Sequence, residues 1–239
     1  MSASSTNQKP KRLSPALYWL GVLLVYALIP LILFLCAWDI RWWQAWAYTV
    51  LIMIAGITGR AWTERRNPGL LSERVNLDKE SGIKPWDKVL SPLMSITVSF
   101  PLVIVAGLDH RFGWSAGFPL WANILGLFLI AFGYILACWA LVVNRFFSSV
   151  VRIQTDRRHT VCDKGPYRII RHPGYTGNAL ALPGIALALG STWTFIPAAL
   201  ALIVTIVRTS LEDKTLKEEL PGYLEYSRRV RFRLFPGIY

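Results

Sequence analysis

Six apolar runs, set apart by polar segments, give this chain its pattern. Ala16 to Trp38 is 23 residues without a charge, enough to cross a bilayer core of about 30 Å, with Pro30 placed to kink it. Asp39-Ile-Arg41 turns the chain into Trp42 to Gly59, where Trp42, Trp43 and Trp46 read as an interfacial aromatic anchor. A polar loop at 60–88 follows, with Asn67-Pro68-Gly69 as its turn signal. The third run, Val89 to Leu108, carries Pro92 and Pro101. A glycine-bearing connection, Asp109 to Phe118, leads to the fourth, Pro119 to Val143. A second polar stretch occupies Asn144 to Asn178. Ala179 to Gly190, short for a span, the turn Gly190-Ser191-Thr192 and Trp193 to Val207 predict a helical hairpin with bends at Pro183, Gly184 and Pro197. The tail, Arg208 to Tyr239, is amphipathic, with Leu211, Leu216, Leu220 and Tyr223 at helix-like spacings.

The pattern predicts an all-α, polytopic membrane protein of about six transmembrane helices, the last two forming a tight hairpin. Residues 1–15 are expected as a mobile arm. Residues 16–239 form one membrane domain, with four spans in 16–143 and a pocket-forming region in 144–239. The first run is too long, and lacks the cleavage site, to be a removed signal peptide.

Charge supports the layout. Only 17% of residues are charged and 54% are hydrophobic, against about 25% charged in soluble domains. With the arm, both long polar stretches and the tail on one side, the opposite side keeps only Arg41 and Arg111 of the 26 Lys and Arg. By the positive-inside rule this fits six spans with both termini cytoplasmic. The net charge of +12 is therefore a topology signal, and nucleic acid is not an expected partner. Cys36, Cys138 and Cys162 show no CxxC or Cys/His spacing, so neither a disulfide framework nor a metal site is expected.

The candidate chemistry lies in two places. His159 to Tyr175, HTVCDKGPYRIIRHPGY, holds two of the three histidines and two tyrosines. Pro173 biases His172 to extended backbone, and Gly174 permits close approach. This turn could present His and Tyr to a planar ligand, or simply re-enter the membrane at headgroup level. The second place is Arg208-Thr-Ser-Leu-Glu212-Asp213. Arg208 and Glu212, at i and i+4, share a helical face. They could form an interfacial ion pair, or supply a carboxylate for ribose hydroxyls and a planar fork for an anion. Trp139, Phe146, Phe147, Tyr223 and Tyr226 read as interface or core residues, and 60–88 as a solvated loop or a lid. No Ser/His/Asp, HExxH or Walker constellation is present.

His159-Thr160-Val161, Gly165-x-Tyr167, Arg171-His172-Pro173-x-Tyr175-x-Gly177, Arg208-x3-Glu212-Asp213 and Gly222-x2-Glu225-Tyr226-x2-Arg229-Val230, in this order, resemble the membrane-embedded isoprenylcysteine carboxyl methyltransferase and phospholipid methyltransferase family. The resemblance covers residues 150 to 239. It implies S-adenosylmethionine as methyl donor, with S-adenosylhomocysteine as product, held at the cytoplasmic face. Carried over, His159, Thr160, Val161 and Cys162, then Tyr167, then His172, Pro173, Gly174 and Tyr175 would enclose the cofactor. Gln154, Arg171 and Asp213 complete that set. Glu212 would bind the cofactor and act with Arg208, which would face the methyl acceptor. Carboxyl methyltransferases of the family place a Gln seven residues before the first His, where this chain has Arg152, with Gln154 two positions on. Their Glu-Glu pair is Glu212-Asp213 here.

The resemblance implies a methyltransferase in a bacterial inner membrane, with its cofactor site facing the cytoplasm. Its partners would be membrane lipids and a lipophilic small-molecule, lipid or prenylated-cysteine acceptor. Carboxyl O-methylation leads, with lipid amine N-methylation, thiol S-methylation, or a non-enzymatic scaffold or transporter of the same fold as alternatives.

Overall fold

A computed structural model describes residues 15–71 and 82–238, with side chains from residue 19 onward. The expected N-terminal arm, apart from Pro15, lies outside these residues, as does much of the suggested lid at 60–88. Seven α-helices carry the described chain: α1 (Pro15–Ala37), α2 (Trp43–Arg66), α3 (Asp87–Phe112), α4 (Leu120–Val143), α5 (Pro173–Leu189), α6 (Phe195–Glu219) and α7 (Tyr223–Arg229). Single 3-10 turns stand at Thr155–Arg157 and Gly165–Arg168. Four helices, α1, α3, α4 and α6, are long and apolar enough to cross a membrane. Large apolar side chains point outward along them, including Leu24, Phe128 and Ile203, each more than half exposed. An outer surface of that kind suits lipid rather than water.

Four boundaries differ from the sequence reading. α2 does not stop at Gly59 but runs on to Arg66, because Glu64, Arg65 and Arg66 are good helix formers. It ends where Pro68 drives Asn67 to φ −134° and ψ 75°. α3 begins at Asp87, two residues before the apolar run. The second polar stretch ends at His172 rather than Asn178, since Pro173 at the first helical position starts α5. α6 continues without a break through Arg208 and Asp213 to Glu219, so the acidic cluster belongs to the last long helix. The turn at Gly190 is as expected: it caps α5 in the left-handed conformation, φ 69°.

α4 and α5 make the closest helix contact. A Cβ built on Gly133 would fall on the Gly177 carbonyl, and one on Gly177 would fall on the Gly133 carbonyl. Gly126 and Gly184 repeat the arrangement one heptad along. Small residues let membrane helices approach to backbone contact. Around this pair, Leu33, Ile52, Leu102, Ile130, Leu182 and Ala201 bring α1 to α6 into one core. At the end away from the candidate site, buried Asp109 accepts hydrogen bonds from Ser115 Oγ at 2.6 Å and from Ser191 Oγ, joining α3 to the α5–α6 turn. At the site end, the tail returns against the start of α5. Arg171 N donates to Phe232 O at 2.9 Å and His172 N to Arg233 O at 3.0 Å.

Candidate functional site

The C-terminal ends of α2 and α4 and the N-terminal ends of α3 and α5 meet at one face. Between them the structure encloses a cavity of about 470 Å³, within the 300–1,000 Å³ usual for ligand pockets. Chain 144–172, the second half of α6 and α7 close its other walls.

The loop wall is held by local hydrogen bonds. Gln154 is buried, donates from Nε2 to Phe146 O at 2.7 Å and accepts from Arg157 Nη1 at 3.0 Å. The His159 ring lies 4.6 Å from Phe146, and its Nδ1 accepts the Gln154 amide at 3.4 Å. Burial, reinforced by Arg152 and Arg157, pushes its pKa down to about 4, so the imidazole is neutral near pH 7. Burial likewise raises the Cys162 thiol and the Tyr167 phenol. Both keep their protons, which removes Cys162 as a thiolate nucleophile. Tyr167 receives Asn144 Nδ2 at 3.2 Å through its hydroxyl, and its carbonyl accepts from Tyr226 at 2.7 Å. Between His159 and Tyr167 the loop therefore presents neutral side chains to the cavity, with Phe146 packed beside them.

The opposite wall is ionic. Arg208 is 2% exposed and Asp87 is fully buried. Arg208 donates Nε to Asp87 Oδ1 at 2.7 Å and Nη2 to Oδ2 at 3.1 Å. Asp87 also accepts the Val151 amide at 2.6 Å, while Arg208 Nη2 donates to Ser149 O at 2.7 Å. The pair thus clamps 149–151 to α3 and α6. Arg208 Nη1 donates to the Tyr175 hydroxyl at 2.5 Å, and that hydroxyl donates to Glu212 Oε2 at 2.6 Å. What the expected acceptor-facing arginine offers the cavity is this Nη1 edge. Glu212 itself is half-buried and lines the cavity.

The sequence-predicted residues fall into two groups. His159 to Cys162, Tyr167, Gln154, Arg171, His172, Gly174, Tyr175, Arg208 and Glu212 share the cavity wall. Pro173 and Asp213 do not line it. Pro173 starts α5, and Asp213 lies fully buried beneath, pairing with Arg171 at 2.7 Å, Lys217 at 2.8 Å and Arg233 at 3.1 Å. Tyr223 donates to the same carboxylate at 3.1 Å, and Arg171 Nη1 donates to Val230 O at 2.6 Å. This cluster anchors the tail under the site. Phe146 and Tyr223, read from the sequence as core or interface, also line the cavity. Asp87 was hidden in the sequence because nothing local separates it from the other acids of 60–88. The available signal was its place at the start of a span. Among the described residues, no group of three or more His, Cys, Asp or Glu is arranged to hold a metal ion.

Comparison with known proteins places these residues in context. The family described as phospholipid methyltransferase matches residues 121–220. Protein-S-isoprenylcysteine O-methyltransferase B of Arabidopsis thaliana is 30% identical over 115 residues, 46% of this chain and 57% of that protein. A probable protein-S-isoprenylcysteine O-methyltransferase of Oryza sativa subsp. indica is 36% identical over 56 residues, 23% of this chain and 29% of its own. The cobalt-zinc-cadmium resistance protein CzcN of Cupriavidus metallidurans is 31% identical over 122 residues, covering 50% of this chain and 53% of that one. These matches span from under a third to somewhat over half of each relative's length. The resemblance read from the motifs thus stands: residues 121–220 match the phospholipid methyltransferase family, and proteins named isoprenylcysteine O-methyltransferases are among those the chain is similar to.

Proposed function

We propose that this protein is an integral membrane methyltransferase that uses S-adenosylmethionine to methylate a lipophilic acceptor, with an isoprenylcysteine-type carboxylate as the leading acceptor. One observation carries the reading. A single cavity joins the neutral lining of the loop at 159–167 and the Glu212 carboxylate to a largely apolar gap between α2, α3 and α4, walled by Ala55, Met94, Tyr134 and Cys138 with Arg60 among them.

The wall chemistry fits the donor. A half-buried carboxylate can accept two ribose hydroxyls, aromatic rings suit a planar base, and the volume suits a nucleoside-sized ligand. When bound, S-adenosylmethionine supplies a methyl group already activated on a sulfonium. The chain then mainly has to position and exclude. Glu212 is assigned the ribose, and Tyr175 and Arg208 hold that carboxylate in place. His159, Thr160, Val161, Cys162 and Tyr167 enclose the base, while His172, Pro173 and Gly174 shape the turn beside it. Gln154 and Arg171, on the wall itself, fix the loop and the tail, with Asp213 beneath them. A carboxylate acceptor is ionised near neutral pH and needs no base. That agrees with a loop whose His159 imidazole, lowered to about 4, is a poor proton acceptor and whose Cys162 thiol and Tyr167 phenol stay protonated. The family match at 121–220 supports lipid amine N-methylation as a second reading, although an amine must first lose a proton.

The same reading places α2 and α5 as spans beside the four apolar helices, with both termini and the cavity mouth in the cytoplasm of a bacterial cell. Residues 16–239 then form a single inner-membrane domain. Calorimetric titration of the detergent-purified protein with S-adenosylhomocysteine tests the proposal. Wild type should bind, and Glu212→Ala should lose binding. Folded wild type that fails to bind would remove the methyltransferase reading, and unchanged affinity in Glu212→Ala would remove the ribose assignment.

A further inference from the structure

The floor of the cavity carries a carboxamide that neither the motifs nor the cofactor assignments use. Gly174, Tyr175 and Asn178 form one stripe of α5 that faces the cavity. A turn further along that stripe, Ala181 and Leu182 are buried, and Leu182 sits in the core with Ile52, Leu102 and Ile130. Asn178, in the second turn of α5, is therefore the deepest polar position on this wall. The floor lies at the same level on α4. Tyr134 and Ala137 line the cavity, Ala137 packs beside Gly177, and Ile130, a turn further in, is fully buried.

Hydrogen bonding sets Asn178 apart from the other described asparagines. Asn67 donates to Val142 O at 2.7 Å, Asn123 to Leu187 O at 2.9 Å and Asn144 to the Tyr167 hydroxyl at 3.2 Å. Asn123 shows the usual work of an asparagine in a membrane helix, a bond across to the neighbouring helix. Among the described residues, none hydrogen-bonds the Asn178 side chain. The nearby α3 serines are already committed, Ser95 Oγ to Ser91 O at 3.0 Å and Ser91 Oγ to Ser149 O at 2.9 Å. An amide shut away without a partner is costly. This one is half-buried and opens onto the cavity, so what it can bond is a ligand, or the solvent that a ligand displaces.

We infer that Asn178 is a specificity-determining residue that hydrogen-bonds a neutral amide of the acceptor, carried about one helical turn, ~5 Å, from the atom that receives the methyl group. The inference rests on the methyltransferase reading and narrows its acceptor from any lipophilic anion to one with an amide beside the carboxylate. The two ends of the stripe supply the chemistry. Arg208 Nη1, bonded to the Tyr175 hydroxyl at 2.5 Å, provides charge for the anionic group. One turn deeper, the carboxamide has no charge but offers both a donor and an acceptor. Its match is a neutral group with the same pair, and an amide within a few bonds of a carboxylate falls at that depth. The apolar chain then continues among Met94, Tyr134 and Cys138.

The experiment is equilibrium binding in detergent without cofactor. Its two probes share a farnesyl thioether and a carboxylate: S-farnesyl-N-acetylcysteine has the amide, and S-farnesylthiopropionic acid lacks it. Wild type should bind the first about three- to tenfold more tightly. Asn178→Leu, close in size, should bring the two to equal affinity without weakening the second, and Asn178→Gln should keep part of the preference. Because no described residue bonds the side chain, Asn178→Leu should melt no lower than wild type. Equal affinities in wild type overturn the inference, as does a preference that survives in Asn178→Leu. A lower melting temperature together with loss of both probes assigns Asn178 to the fold and overturns it as well. Titration with S-adenosylhomocysteine separates the two readings. Wild type that binds it but treats the probes alike loses the amide contact and keeps the methyltransferase reading. Wild type that separates the probes without binding it loses the methyltransferase reading and keeps the contact.

Discussion

Replacing Asp87 by Asn tests the ionic wall most directly, because the two residues are isosteric and only the charge and one acceptor change. In the native site the Asp87 carboxylate meets three donors: Arg208 Nε at 2.7 Å, Arg208 Nη2 at 3.1 Å and the Val151 amide at 2.6 Å. An asparagine keeps one acceptor oxygen and turns an NH2 group toward a donor that already needs an acceptor. Arg208 is 2% exposed in the native protein, and the variant takes away its ion-pair partner. Breaking a buried pair in this way costs about 3–5 kcal/mol. At about 2–4 °C per kcal/mol for a chain of this size, the melting temperature in detergent should fall by on the order of 10 °C. The control is Asp87→Leu/Arg208→Met, which removes both charges and leaves an apolar contact. Such exchanges are often near neutral, so the double variant should be more stable than Asp87→Asn while losing the clamp on 149–151. Thermal unfolding of wild type, Asp87→Leu, Arg208→Met and the double variant forms a complete cycle, with Asp87→Asn measured beside it. If Asp87→Asn costs less than about 1 kcal/mol, or if the single changes add within about 0.5 kcal/mol, the buried clamp is not what holds the loop.

Two further outcomes follow from the geometry. Gly133→Ala and Gly177→Ala should each destabilise the protein by about 1–3 kcal/mol, since each new Cβ meets the facing glycine's carbonyl; thermal melts that match Gly21→Ala, where the added Cβ has nothing within 4 Å, would refute the close α4–α5 contact. The third prediction concerns pH. The folded pKa of His159, about 4, lies below the roughly 6.5 of an unfolded histidine. The unfolded chain therefore binds more protons between these values, and His159 makes stability fall as pH drops from about 6.5 toward 4. His159→Gln should remove part of that acid-side slope while melting normally above pH 7, and identical melting-against-pH curves for the two proteins would show that the ring is not buried neutral.

Much of the membrane architecture was legible because apolar runs and basic loops are read by composition alone. Helix ends were harder. Arg60, Glu64, Arg65 and Arg66 look like the start of a loop when polarity is the criterion, yet helix propensity carries α2 onward until Pro68 acts through Asn67. The i, i+4 face of Arg208 and Glu212 was correctly drawn, and α6 runs through both. Their partner was not visible. Asp87 lies 121 residues from Arg208, and no local rule connects two positions so far apart. Only the burial of Arg208, a tertiary fact, requires an acid opposite it. Asp213 shows the converse limit. Its neighbour Glu212 faces the cavity, but a one-residue step around the helix turns Asp213 inward to gather Arg171, Lys217 and Arg233, so adjacency in sequence misassigns it to the pocket.

The division between shared and particular parts of this site follows from the same geometry. Residues 121–220, the stretch matched by the phospholipid methyltransferase family, supply the loop at 144–162, Tyr175, Arg208 and Glu212, which form the polar side of the cavity. Arg60, Ala55 and Met94 come from α2 and α3, outside that stretch, and they wall the apolar side. The Asp87–Arg208 pair is the joint between the two, with one partner on each. On the proposed reading, this buried salt bridge, with Ser91 Oγ donating to Ser149 O at 2.9 Å and Asn67 Nδ2 to Val142 O at 2.7 Å, fixes the donor-binding half against helices that are free to differ in what they accept. Exchanging the walls at Ala55, Arg60 and Met94 should then change acceptor preference without altering S-adenosylhomocysteine affinity, whereas Asp87→Asn should disturb both, because Asp87 holds the loop and the arginine together.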